Sequence, residues 1–114
     1  VASFFTNDCV FEDMAVGVVN RGKEEVKDFA NATLAAYPDF AMVRKSSFGA
    51  GSWLATEWVM TGTHTGDLEG IPPTGKSFSV RGVSISQFYR GKIRRHTDYW
   101  NLSSLLQQLR LPGG

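Results

Sequence analysis

Between residues 22 and 37, Val26, Phe29, Ala30, Thr33, Leu34 and Tyr37 recur at intervals of three and four, which places them on one stripe of an α-helix. Asn20 or Gly22 is positioned to cap that helix, Glu24 and Glu25 suit the positive end of its dipole, and Pro38 lies just past its end. The same spacing returns in Leu102, Leu105, Leu106 and Leu109, with Asn101 placed to accept from the first-turn amides as N-cap. The pattern between the two helices has the period of strands. Residues 9–13, 40–48, 53–64, 76–89 and 92–100 read as five of them, with Gly49-Ala50-Gly51 and Arg90-Gly91 as hairpin connections. In the fourth, Phe78 and Val80 put the apolar face on even positions and Val83 and Ile85 on odd ones. A β-bulge near Arg81-Gly82 would restore a common face. Val1-Ala2-Ser3-Phe4-Phe5 reads as the last turn of a first helix that is otherwise largely missing from the sequence.

Long strands joined by tight turns form a twisted meander that must curl over something. With helices segregated to one side, the pattern predicts a single α+β domain over residues 1–114. Its strongly curved antiparallel sheet would wrap over the helices around an apolar pocket. Residues 65–75, with three glycines and Pro72-Pro73, form a loop at the rim or over the mouth of such a pocket.

Composition narrows the functional classes. Twelve basic and eleven acidic residues leave a net charge of +1, which gives no electrostatic case for nucleic acid or membrane surfaces. No apolar run approaches the ~20 residues of a membrane span. Cys9 is the single cysteine, so no internal disulfide forms, and it reads as inert packing. With two histidines and no clustered carboxylates, no metal site is expected, and no phosphate-binding glycine loop implies a cofactor. A cytoplasmic location is the default expectation.

Acid–base chemistry in an apolar pocket, or binding alone, remains. On the last strand, alternation places Arg94, His96, Asp98 and Trp100 on one face. If that face lines the pocket, Asp98 is a general base beside His96, with burial favouring its neutral form and a neighbouring cation the charged one. If it faces solvent, the two are ordinary surface groups. His64 shares a face with Trp58 and Met60 and would enter the same cavity near its mouth, or bond to the adjoining loop. Trp58, Met60, Trp100, Phe29 and Tyr37 are the candidate pocket walls, the tryptophans being also accountable as core. Glu57 pairs most simply with Arg44, Lys45 or Arg81. Glu12 and Asp13 could face the cavity, although a turn role near a sheet edge accounts for them better.

The segments Gly62-Thr63-His64-Thr65-Gly66, Gly70-Ile71-Pro72-Pro73-Thr74-Gly75-Lys76, His96-Thr97-Asp98-Tyr99-Trp100-Asn101 and Leu105-Leu106-Gln107-Gln108-Leu109 resemble the signature of the SnoaL-like polyketide cyclases. The resemblance covers nearly the whole chain. It implies the cone-shaped α+β roll of the nuclear-transport-factor-2-like superfamily, a deep apolar pocket, and an aspartate acting as acid/base in an intramolecular aldol closure; Asp98 matches it. The chain departs from the family's usual pattern in Thr97, where a tryptophan is common, in Asn101, where an acid is common, and in Arg110, which replaces a frequent glycine.

Two functions follow as expectations. The first is a cyclase-type enzyme, or the related isomerase or dehydratase, acting on an apolar carbonyl substrate with Asp98 as base and His96 or His64 on the enolate oxygen. The second is a non-catalytic small-molecule-binding or dimeric assembly module using the same cavity. In either case the uncovered face of the sheet holds apolar residues of the third strand, which predicts a homodimer through that face.

Overall fold

The computed structural model describes residues 2–114. Ala2–Phe4 form one 3-10 turn in place of an α-helical end, and the strand β1 begins at once, Phe5–Asp13. A tight turn leads to β2 (Val18–Arg21), then α1 (Gly22–Ala36), β3 (Ala41–Ala50), β4 (Trp53–Thr63), β5 (Ser77–Tyr89), β6 (Lys92–Trp100) and α2 (Leu102–Leu109). The short β2 has no counterpart in the sequence pattern, because four residues are too few for a periodicity to register. Neither Asn20 nor Gly22 caps α1: the N-cap is Arg21, whose amide donates to Glu25 Oε1 at 2.8 Å. A carboxylate one turn along the helix, reaching back to the N-cap amide, does the work instead.

The six strands make one curved sheet in the order β2-β1-β6-β5-β4-β3. All neighbours are antiparallel except β1 and β6, which run parallel and set Phe11 beside His96 and Asp13 beside Asp98. Parallel pairing brings an early segment against the last strand, a long-range contact that no local pattern reports.

The register from Trp53↔Gln87 to Thr63↔Ser77 is unbroken, so there is no bulge at Arg81-Gly82. Even positions of β5 stay inside throughout: Phe78, Val80, Gly82, then the buried Ser84 and Ser86, while Val83 and Ile85 belong to the outer face. The face does not switch sides; it changes chemistry. Gly82 fits this row because the Trp58 ring lies against it where a side chain would stand. Register shifts occur elsewhere, between Arg44 and Ser46 on β3 and between Gln87 and Phe88 on β5.

The helices lie on the inner face. One core joins Trp58, Met60, Phe78 and Val80 of the sheet to Ala36, Tyr37, Leu105 and Leu109; a smaller one under α1 joins Phe5, Cys9 and Val26. Where β6 has ended, Gln108 of α2 exchanges two hydrogen bonds with the backbone of Ser79, occupying the open edge of β5. The 65–75 loop is tied down at the rim: the Gly66 amide donates to Ala36 O, and Leu68 packs on the core. No helix is long and apolar enough to cross a membrane among the described residues.

Candidate functional site

Strand pairing assembles the site. Ser84 and Ser86 of β5 stand opposite Asp98 and His96 of β6, and on the other side Asp13 and Phe11 of β1 occupy the same two levels. All of these point inward, and Asp98 is 8% exposed. The pair the sequence singled out is therefore inside, not on a wet face.

Asp98 Oδ1 accepts the Ser84 hydroxyl at 2.5 Å and lies 2.8 Å from His96 Nε2. Behind Ser84, the Trp58 indole N–H donates to its Oγ at 2.7 Å. At the far end His96 Nδ1 lies 2.8 Å from Ser86 Oγ. The result is a buried chain from Trp58 through Ser84, Asp98 and His96 to Ser86. The imidazole is held flat by Phe11, stacked with ring centroids 4.8 Å apart, and Phe29 of α1 packs on Phe11 in turn. A neutral imidazole donating from Nε2 lets Ser86 donate to Nδ1; an imidazolium makes Ser86 turn and accept. Oδ1 keeps two donors in either state.

Asp13 completes the surroundings and was underrated by the sequence reading. Its Oδ1 caps the turn after β1, accepting from the amides of Ala15 and Val16, and its Oδ2 accepts from Trp100 Nε1 at 3.1 Å. The turn role holds, but the carboxyl is also buried beside Asp98. Burial pushes Asp13 above the usual carboxylate range, against the hydrogen bonds from Trp100 and Val16 and with the help of the Asp98 charge. Ser84 and Ser86 were missed altogether. The signal that would have found them is the even phase of β5 carried through without a bulge.

The remaining candidates divide. Trp58 and Trp100 flank Gly82, one inward position along from Ser84 and Asp98, with the Trp58 indole reaching Ser84, and Phe29 reaches His96 through Phe11. Met60 lies farther along, opposite Val80. His64 follows Thr63, which pairs with Ser77, seven residues from Ser84 and so roughly 23 Å along the strand at ~3.3 Å per residue. The structure does not bring His64 to Asp98. It is fully buried at the hairpin end, edge-on to Tyr37, with Nδ1 accepting the Thr74 amide at 3.3 Å and Nε2 without a partner among the described residues. Tyr37 belongs to that second centre, packed on Phe78.

Arg94 is likewise absent from the site. The register shift between β5 and β6 makes it the extra, unpaired residue of β6, and its guanidinium turns to Asp8 at 3.6 Å and to the Tyr89 ring. Glu57 makes no ion pair among the described residues; Ser46 donates to it at 2.5 Å, since the β3 shift brings that hydroxyl opposite. Cys9 is buried, and burial pushes its thiol up, in keeping with packing.

Two clefts open elsewhere. One of about 270 Å³ is lined by Lys45, Glu57, Trp58, Arg81, Gly82 and Val83. The other, about 350 Å³, is lined by Phe48, Gly49, Ala50, Trp53, Leu54, Ala55 and Ile85. Glu57, Arg81, Phe48, Trp53, Ala55 and Ile85 share the outer face by register, so both clefts belong largely to the convex side.

Comparison with known proteins agrees with this architecture. Cyclase aurE of Calcarisporium arbuscula is 32% identical over 100 residues, covering 87% of this chain and 71% of that protein. Nogalonic acid methyl ester cyclase of Streptomyces nogalater is 39% identical over 59 residues, 52% of this chain and 44% of the relative, so the match spans less than half of that cyclase. Among solved structures, a protein of ketosteroid isomerase-like fold from Catenulispora acidiphila superposes with a TM-score of 0.84 at 25% identity, covering 97% of this chain and 80% of that one. The sequence profile of the SnoaL-like polyketide cyclases matches residues 1–109, and with a curved α+β roll carrying the His96–Asp98 pair inside it, the chain belongs to that family.

Proposed function

We propose that this protein is an acid/base enzyme of the cyclase type, with Asp98 as general base for an apolar carbonyl substrate. The observation that carries the reading is a buried aspartate whose one oxygen is held by two donors, Ser84 and His96. In the step proposed, a C–H bond between two carbonyls breaks, its proton passes to Asp98, and the electron pair becomes an enolate. The enolate carbon then bonds to a ketone carbon of the same molecule, and the ketone oxygen takes the proton from Asp98. No atom is gained or lost. His96 is the histidine near the developing enolate, since His64 stands far along the strand. Trp58, Trp100 and Phe29 would supply apolar wall, with Met60, Tyr37 and His64 at the more distant end. Asn101 takes no part as an acid, being occupied as the helix cap.

The family and the relatives' names suggest a polyketide methyl ester as the substrate class, and nogalonic acid methyl ester is a suitable probe. Asp98→Asn keeps the shape and removes the base; turnover should fall by a factor of about 10²–10⁴. Turnover of that variant at the wild-type rate would refute the proposal. A wild-type protein that binds the ester without converting it would favour the binding-module reading.

The same protein is proposed to pair with a second copy through the outer sheet face. Val43, Phe48, Trp53 and Tyr99 are all exposed there, and Phe48 and Trp53 line the apolar cleft.

A further inference from the structure

The acid/base pair is held from β5 as well as from its own strand. We infer that Ser84 and Ser86 are its positioning residues: Ser84 fixes Asp98 Oδ1 so that Oδ2 receives the substrate proton, and Ser86 keeps His96 aimed at the same Oδ1. The inference rests on the acid/base reading of Asp98 and adds the groups that orient it.

The first support is placement. Along the inner row of β5, Phe78 and Val80 are apolar, and the row turns to hydroxyls only opposite Asp98 and His96. Ser84 and Ser86 are buried to 5% and 6% exposure, where an unbonded hydroxyl is costly. Each hydroxyl is bonded to the member of the pair it faces.

The second support is the direction of the bonds. An indole N–H can only donate, so Ser84 Oγ accepts from Trp58, and its own proton is directed at Asp98 Oδ1. The rotor is set from behind. When the proton from the substrate arrives on Oδ2, the Ser84 bond to Oδ1 stays in place and nothing has to reorganise. Oδ2 itself takes no hydrogen bond among the described residues. Ser86 serves the partner: its hydroxyl can donate to a neutral imidazole or accept from a charged one, so His96 keeps its aim across a change of charge. The titratable groups facing Asp98 are His96 on β6 and Asp13 on β1; β4 and β5 present Trp58, Ser84 and Ser86.

Ser84→Ala removes a donor to the charged form of Asp98. Loss of one charge-assisted bond should raise the proton affinity of Asp98 about tenfold. That is read in the protein without substrate by a 13C NMR titration of the carboxyl. With nogalonic acid methyl ester as probe, kcat should fall about 10–100-fold while KM stays within about twofold, the signature of lost positioning. Ser84→Thr restores the hydroxyl and should return both readouts toward wild type. Should the alanine variant fail to fold, Ser84→Cys keeps the size with a weaker donor and should move both readouts in the same direction as the alanine change. Ser86→Ala should lower kcat and broaden or shift the His96 ring resonances. An unchanged Asp98 titration and kcat in Ser84→Ala, with Asp98→Asn inactive, overturns the inference alone. An active Asp98→Asn removes the reading beneath it.

Discussion

Asp13 shows how one carboxyl can hold a turn and still lie buried against the candidate site. It holds the turn after β1 with one oxygen and the Trp100 indole with the other, in direct register with Asp98. Burial raises its proton affinity above that of an unfolded chain, so the fold binds this proton more tightly than the denatured state does. The contribution is therefore favourable below the ordinary aspartate value of ~3.9 and is lost as pH rises through the higher native value. Asp13→Asn cannot ionise and lacks that slope. Thermal unfolding of both proteins from acid to neutral pH should show the wild type losing ground to Asp13→Asn as pH rises. Parallel curves would show that the carboxyl titrates normally. Asp98 and His96 were legible from alternation alone, because β6 is regular from Arg95 to Trp100. Ser84 and Ser86 were not. Taking Val83 and Ile85 as inward-facing apolar residues demanded a bulge, and that bulge would have turned the two serines outward.

At the scale of elements, the helices followed their sequence signals where a cap was local and failed where it was not. Asn101 accepts the Ser104 amide at 3.1 Å, as its place before the leucine repeat predicts. The cap of α1 depends instead on Glu25 reaching back to Arg21, a contact that a search for an oxygen-bearing N-cap residue overlooks. Strand ends came within two residues for β3 to β6; the largest miss is at β3, which runs on through Gly49 and Ala50, expected in the turn. The parallel β1–β6 pairing and β2 were not legible, being set by packing across the whole chain. Arg110 closes α2 in the left-handed conformation, φ 58, ψ 42, with its amide donating to Gln107 O and Leu106 O. That geometry suits glycine, and a side chain there is strained. Arg110 is exposed and has no ion pair among the described residues to lose. Arg110→Gly should thus stabilise the protein by about 0.5–1 kcal/mol, offset in part by the freer unfolded chain. Chemical denaturation would read it, and a loss of stability would contradict the strain argument.

For the whole molecule, neither face of the sheet is uniform: the inner one is apolar only in part, and the outer one is not wholly polar. The inner face turns polar at Ser84, Ser86, His96 and Asp98, while the outer face keeps Val43, Phe48, Trp53, Val59, Val83, Ile85 and Tyr99. Both helices and the 65–75 loop pack on the inner side or at its rim, so within the described residues they leave the outer face uncovered. Four large apolar residues at 45–64% exposure on one face, two of them lining an apolar cleft, are more than scattered surface hydrophobes. The proposed homodimer through this face would bury them. A stable interface of ~1,600 Å² in total asks about 800 Å² of each copy, within the reach of a face four long strands wide. Trp53 lies beside the cleft and points outward from β4, remote from the inner core, so Trp53→Glu changes the face without touching the site. Two carboxylates brought together across an isologous contact repel and must also be desolvated. Sedimentation equilibrium at micromolar concentration should give twice the chain mass for the wild type and the chain mass for Trp53→Glu, with an unchanged circular dichroism spectrum. A wild type that sediments as a single chain across that range rules the dimer out.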